Sequence, residues 1–161
     1  MLIRSPLLKD RETLANLVVD PQDNPFREEE VGCALELLEA VLLPPPGNTY
    51  EALVGVDSGD RPIAYACFGA TPMTDATFDL YWMVTAAKVR GQGLGSQLLA
   101  SVEAHLRGRQ ARSVRVEASG VEGKGGARRF YERCGYELVG LIPDFYRPGD
   151  DLVTLLKRLS Q

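Results

Sequence analysis

The run Val89-Arg90-Gly91-Gln92-Gly93-Leu94-Gly95-Ser96 stands between an apolar, strand-like Leu80-Tyr81-Trp82-Met83-Val84 and a helical pattern from Gln97 to Arg107. Glycines at 91, 93 and 95 remove the Cβ where a backbone must bend sharply and lie against a ligand. They also open a helix whose first N–H groups have no intrahelical partner. Such a turn holds an anion without a metal: the helix end carries a partial positive charge, and Arg90 can add a full one. The stretch therefore reads as a pyrophosphate cradle between a strand and a helix.

Spacing separates the competing phosphate loops. A dinucleotide fingerprint begun at Gly91 needs Gly or Ala at position 96, where Ser96 stands, and no acidic partner follows in a clear βαβ unit. A P-loop built on Gly123-Lys124 needs Gly at 118 and Ser or Thr at 125, where the chain has Ala118 and Gly125. What remains is an Arg or Gln, two variable residues, Gly, one variable residue and Gly or Ala, filled by Arg90, Gly93 and Gly95. This pattern resembles the acetyl-CoA loop of the GNAT family of N-acetyltransferases. Arg128-Arg129-Phe130-Tyr131-Glu132-Arg133-Cys134-Gly135-Tyr136-Glu137 resembles the family's second signature, an aromatic-Tyr pair ending a helix followed by Gly-aromatic entering a strand. The resemblance covers residues 50 to 159, and the tail Ile142-Pro143-Asp144-Phe145-Tyr146-Arg147-Pro148-Gly149-Asp150-Asp151 is similar to a bacterial subgroup of the family.

Composition sets the bounds. A chain of 161 residues, 45% of them apolar, is expected to form one domain over residues 1–161 and to bury a core without disulfides or a structural metal. A net charge of −4 with no dense basic run argues against a nucleic-acid partner. Cys33, Cys67 and Cys134 show no CxxC spacing, which leaves zinc and redox sites without support and points to reduced thiols. Nothing approaches the ~20 apolar residues of a membrane span. The N-terminus lacks the apolar core of a signal peptide, so the expected location is the cytoplasm.

Periodicity supplies the elements. Leu2 to Arg4 reads as a short strand, and Asp10 as the cap of a first helix with Leu14, Leu17 and Val18 on one face. A second helix is expected from Asn24-Pro25, with Val31, Leu35, Leu38 and Leu42 at helical spacing, Glu28, Glu29 and Glu30 at its positive end, and Pro44-Pro45-Pro46 as its stop. Glu51 to Val56 and Pro62 to Phe68 form a hairpin about Asp57-Ser58-Gly59-Asp60, and Thr77 to Thr85 a third strand of this set. Leu94, Leu98, Val102 and Leu106 line the helix after the cradle, which Gly108 stops. Then come a strand Ser113 to Ala118, a flexible loop Gly120 to Gly126, a helix Ala127 to Cys134, and strands Tyr136 to Ile142 and Leu152 to Lys157. The order matches the GNAT topology. The resemblance implies an α/β (α+β) fold: a mixed, mostly antiparallel sheet of roughly seven strands, with helices on both faces and a splayed cofactor cleft.

By the same resemblance the backbone of Met83, Val84 and Thr85 lies along pantetheine, and Arg90, Gly91, Gln92, Gly93, Leu94, Gly95 and Ser96 surround the pyrophosphate. Acetyl transfer to an amine poses two proton problems: the ammonium must lose one, and the departing CoA thiolate must gain one. Tyr131 matches the family's acid, with packing as the alternative role of a buried tyrosine. Asp79 and Glu117, on the strands flanking the cradle helix, are the candidate bases; each has a structural alternative as an ion-pair partner of Arg115 or Arg128. Lys124 occupies a position where many members carry a cofactor-binding asparagine. Asp144, Asp150 and Asp151 offer charge for a substrate ammonium or plain turn chemistry. His105, the only histidine, reads as a helix residue and not a catalyst. The expected activity is acetyl-CoA-dependent N-acetylation of a small-molecule amine or amino acid by direct transfer, with a homodimer as an option for assembly. A protein N-terminus or lysine as acceptor, a non-catalytic acyl-CoA-binding regulatory module, and a nucleotide at the same glycines are the alternatives.

Overall fold

The computed structural model describes residues 1–19, 28–121 and 126–159. Its strands are β1 (Leu2–Arg4), β2 (Tyr50–Val56), β3 (Pro62–Ala70), β4 (Thr77–Thr85), β5 (Ser113–Ser119), β6 (Glu137–Arg147) and β7 (Asp150–Arg158). Its helices are α1 (Arg11–Val19), α2 (Glu28–Leu42), α3 (Leu94–Gly108) and α4 (Ala127–Arg133). The strands hydrogen-bond in the order β1-β2-β3-β4-β5-β7-β6. Pairing is antiparallel for β1/β2, β2/β3, β5/β7 and β6/β7, and parallel for β4/β5, so the sheet is mixed and mostly antiparallel.

The chain divides into two compact units, Met1–Gly69 with Trp82–His105, and Ala70–Tyr81 with Leu106–Gln161. In the first, Leu14 and Val18 of α1 and Ala34 and Leu38 of α2 pack on Val54, Val56, Tyr65 and Val84. Burying each of those leucines contributes about 1.5–3 kcal/mol. Phe68, an odd number of residues beyond Tyr65 on β3, points to the other side of the strand, where the His105 ring of α3 meets it edge-on at 5.6 Å. Helices thus cover both faces of this unit's strands. The helix spacing of Leu94, Leu98, Val102 and Leu106 follows the expected stripe, and the last three are fully buried.

Asp10 corrects one expectation. It does not cap α1: it is the last residue of a 3-10 turn, Leu8–Asp10, and its buried carboxylate reaches back to accept the Leu7 N–H at 2.8 Å. The same carboxylate takes two bonds from the Arg4 guanidinium, at 2.6 and 3.1 Å. The expected start of the second helix at Asn24-Pro25 lies outside the described residues; α2 begins its described course at Glu28.

In the second unit β5 alternates as a half-covered strand should, with Val114 and Val116 buried and Glu117 exposed. Val114 stands opposite Lys157 of β7, and Lys157 Nζ donates to the Cys134 carbonyl at the end of α4, at 2.8 Å. Helix α4 therefore covers the Val114/Val116 face, and Arg115, Glu117 and Ser119 look out from the opposite one. Strand β6 runs to Arg147, five residues beyond the expected end at Ile142, because its pairing with β7 tolerates irregularities after Leu138 and after Ile142. There Asp144 adopts φ 52°, accepts the Gly149 N–H at 2.6 Å, and gives its own N–H to Asp151 Oδ1 at 2.9 Å.

Candidate active site

The cradle belongs to the first unit. After β4 a 3-10 turn, Ala87–Val89, leads to Arg90, whose Nε donates to the Thr85 carbonyl at 3.2 Å. Gly91 and Gly93 take φ of 74° and 78°, the left-handed region that L residues avoid, and an added Cβ at either would meet no protein atom within 4 Å. The Gln97 N–H closes the first helical turn on the Gly93 carbonyl at 3.1 Å, which places the N–H groups of Leu94 and Gly95 ahead of the intrahelical ladder. The backbone at Gly91 and Gly93 is thus open on its outer side and leads into a helix start, an arrangement that could hold an anion. Of the residues expected along pantetheine, Val84 is buried in the α1/α2 core while Met83 and Thr85 are half-buried.

The residues expected to move protons belong to the second unit. The parallel β4/β5 ladder has three rungs, Thr77↔Ser113, Phe78↔Val114 and Asp79↔Arg115. Beyond the last rung, β5 continues to Ser119 and is paired all the way with β7. Asp79 sits on that rung, buried, with Oδ1 and Oδ2 both accepting from Arg115, at 2.6 and 3.1 Å. This is the ion-pair role weighed for it from sequence. Arg115, whose pKa the Asp79 hydrogen bonds raise, also approaches Glu117 Oε1 at 3.5 Å. The Glu117 side chain stays 45% exposed. Of the two candidate bases, Glu117 is the exposed one and Asp79 the buried one.

Tyr131 lies on the opposite face, in α4, buried between Phe130 and Tyr136, with edge-to-face ring separations of 5.1 and 5.5 Å. Burial, with a smaller contribution from nearby Cys134, pushes its phenol pKa well above the ordinary value, so the hydroxyl stays protonated. Its place is fixed by a helix stop. Gly135, at φ 86°, gives its N–H to the Glu132 carbonyl at 3.0 Å, and Tyr136 gives its own to the Tyr131 carbonyl at 3.0 Å, the double bond of a Schellman motif.

Other candidates resolve differently. Asp150 is buried against the Ser119 hydroxyl and Arg147 Nε, so two of the three tail aspartates serve the hairpin turn and the third a local polar cluster. His105 pairs with Glu51 at 3.0 Å. Lys124 lies outside the described residues. Among the described residues no group of His, Cys, Asp and Glu could hold a metal ion, and no helix is long and apolar enough to cross a membrane. Lys157 is not singled out from sequence and has no signal there, since its partner is a carbonyl distant in sequence; Arg115 enters the sequence reading only as an ion-pair partner of the two carboxylates, which is what it is.

Comparison with known proteins agrees with this geometry. The model of the acetyltransferase (GNAT) domain matches residues 49–138, more than half of the chain. The chain belongs to the GNAT family. A GNAT-family protein of Desulfovibrio desulfuricans is 32% identical, with a TM-score of 0.89 and 99% of both chains covered. Blasticidin-S acetyltransferase of Streptomyces morookaense is 39% identical over 87 residues, 50% of this chain and 55% of that protein, so the match spans little more than half of the relative. An aminoglycoside 6'-N-acetyltransferase complexed with coenzyme A shares the fold at a TM-score of 0.77 and 15% identity, covering 100% of this chain and 98% of its own.

Proposed function

We propose that the protein is an acetyl-CoA-dependent N-acetyltransferase that acetylates the primary amine of a small molecule or amino acid by direct transfer in a ternary complex. The observation that carries the mechanism is the end of the β4/β5 ladder at Asp79 and Arg115, with Glu117 on one face of β5 and Tyr131 on the other. An amine of pKa ~10.4 is neutral in only about one molecule in 2,500 at pH 7, so a base is required. Glu117, exposed on the face of β5 away from α4, takes the ammonium proton. The amine nitrogen then attacks the thioester carbonyl; as the tetrahedral adduct collapses the nitrogen gives its second proton to solvent, the C–S bond breaks, and Tyr131 gives its proton to the leaving thiolate and is itself reprotonated from solvent. Arg90 and the start of α3 hold the pyrophosphate, and the backbone of Met83, Val84 and Thr85 aligns the pantetheine arm. The coenzyme A bound to a protein of the same fold supports the cofactor, and the name of the blasticidin-S relative supports a small-molecule acceptor.

The test is calorimetric titration with acetyl-CoA followed by thiol release over a panel of small amines, amino acids and peptides. Binding with turnover on small amines is the expected result. Binding without release on any member would leave a regulatory acyl-CoA module, release on peptides alone would move the acceptor to protein, and displacement by ATP or NADH but not CoA would reassign the cradle.

A further inference from the structure

Lys157 touches Tyr131 through intermediaries. Its Nζ donates to the Cys134 carbonyl at 2.8 Å and lies 5.6 Å from the centroid of the Tyr136 ring. Its stem packs against the turn, since a Cβ on Gly135 would stand 3.6 Å from Cε. Cys134 is the capping residue of α4, and Tyr136 is the residue that closes the Schellman motif on the Tyr131 carbonyl and packs its ring against the Tyr131 ring. A single ammonium thus engages both the carbonyl and the ring that define where α4 stops. Lys157 is anchored on β7 opposite Val114 of β5, the strand that bears Glu117, so the clamp ties the helix end to the sheet.

We propose that Lys157 is a positioning residue for the acetyl transfer, holding the α4 stop so that the Tyr131 hydroxyl stays aimed at the leaving sulfur. This rests on Tyr131 being the acid. A cation near a helix C-terminus also stabilises the helix, so a loss of folding stability alone does not distinguish the two roles. The distinguishing quantity is the split between kcat and KM, measured in Lys157→Met, Lys157→Gln and Lys157→Arg with thermal melts alongside.

Lys157→Met is expected to lower kcat about tenfold with the KM for acetyl-CoA changed less than about twofold, because the interaction acts on the transition state and not on cofactor binding. Lys157→Arg keeps a donor and a cation and should restore most of kcat; Lys157→Gln, which keeps a donor without charge, should fall between. In a Tyr131→Phe background the same Lys157 substitutions should have no further effect on kcat, since residues acting as one unit are not additive. An equal loss of kcat in both backgrounds, or a wild-type kcat in folded Lys157→Gln, overturns the inference. Full activity of Tyr131→Phe by itself overturns the acid reading instead, so the two failures are separate.

Discussion

Gly93→Ala isolates what the cradle does. The backbone there has φ 78°, and a Cβ would find nothing within 4 Å, so the substitution carries conformational strain and no clash with the protein. Holding an L residue in the left-handed region costs about 1–2 kcal/mol. For a domain of this size that is a fall in Tm of about 2–8 °C. Relief of the strain would rotate the peptide planes flanking Gly93 and turn their N–H groups away from the bound pyrophosphate, while the new methyl would occupy the approach path. Acetyl-CoA affinity is therefore expected to fall by about ten- to a hundredfold, equivalent to about 1.4–2.7 kcal/mol. Gly47 supplies the control: it has φ 79° and the same open surroundings, but sits in the turn after α2 with no helix start beside it. Gly47→Ala should lower Tm by a similar amount and leave binding untouched. Calorimetry at a temperature below both transitions reads the difference. Wild-type affinity in Gly93→Ala, or an equal loss in Gly47→Ala, would refute the assignment of the cradle.

Tyr131→Phe should reduce kcat about ten- to a hundredfold with little change in the KM for acetyl-CoA; steady-state kinetics checks it, and an unchanged kcat removes the acid role. Glu117→Gln should lower kcat about a hundredfold or more, whereas Asp79→Asn should keep most of kcat and instead lower stability by about 1–2 kcal/mol, a figure reduced from that of a buried pair because Arg115 is partly exposed. A loss of kcat in folded Asp79→Asn alone would exchange the two roles. Hydrogen bonds from Arg4, then the Leu7 N–H, hold the Asp10 carboxyl below the usual carboxylate range. A depressed pKa adds stability above the ordinary carboxylate value that is lost as pH falls through the depressed one. The melting gap between wild type and Asp10→Asn should accordingly be level near neutral pH and close once the pH drops below about 3.9; a gap constant down to pH 2 would contradict the pairing.

Much of this was legible before any coordinates. The ends of β4 at Thr77 and Thr85 follow from its turn-forming flanks and aromatic run, and α3 from a stripe of apolar residues with period near 3.6. The glycine turn and the helix start after it were legible because alternating glycines impose their own geometry. Asp10 misled because a carboxylate just before a helix looks like a forward cap, and only the position of Arg4, set by β1 pairing with β2, turns it backward. The extent of β6 was hidden by Pro143 and by Asp144, which read as a break in a regular ladder but are accommodated where pairing with β7 becomes irregular. The roles of Asp79 and Glu117 were not separable in the string, since their difference comes from which one the cross-strand Arg115 occupies fully.

The alternation of β5 has an evolutionary corollary. Because Val114 and Val116 point toward α4 while Glu117 points away, a lineage can rewrite Thr154, opposite Glu117, without disturbing the packing that supports Tyr131, whereas Arg115 and Ser119 are tied to the buried Asp79 and Asp150. On the proposed mechanism, acceptor preference can drift there while the face that carries Tyr131 stays under constraint. Directed evolution toward a new amine would begin with a small library at position 154, sparing Glu117 and Arg115, the ion-pair partner of the buried Asp79, and should recover folded variants at far higher frequency than one drawn from 114, 116 and 131.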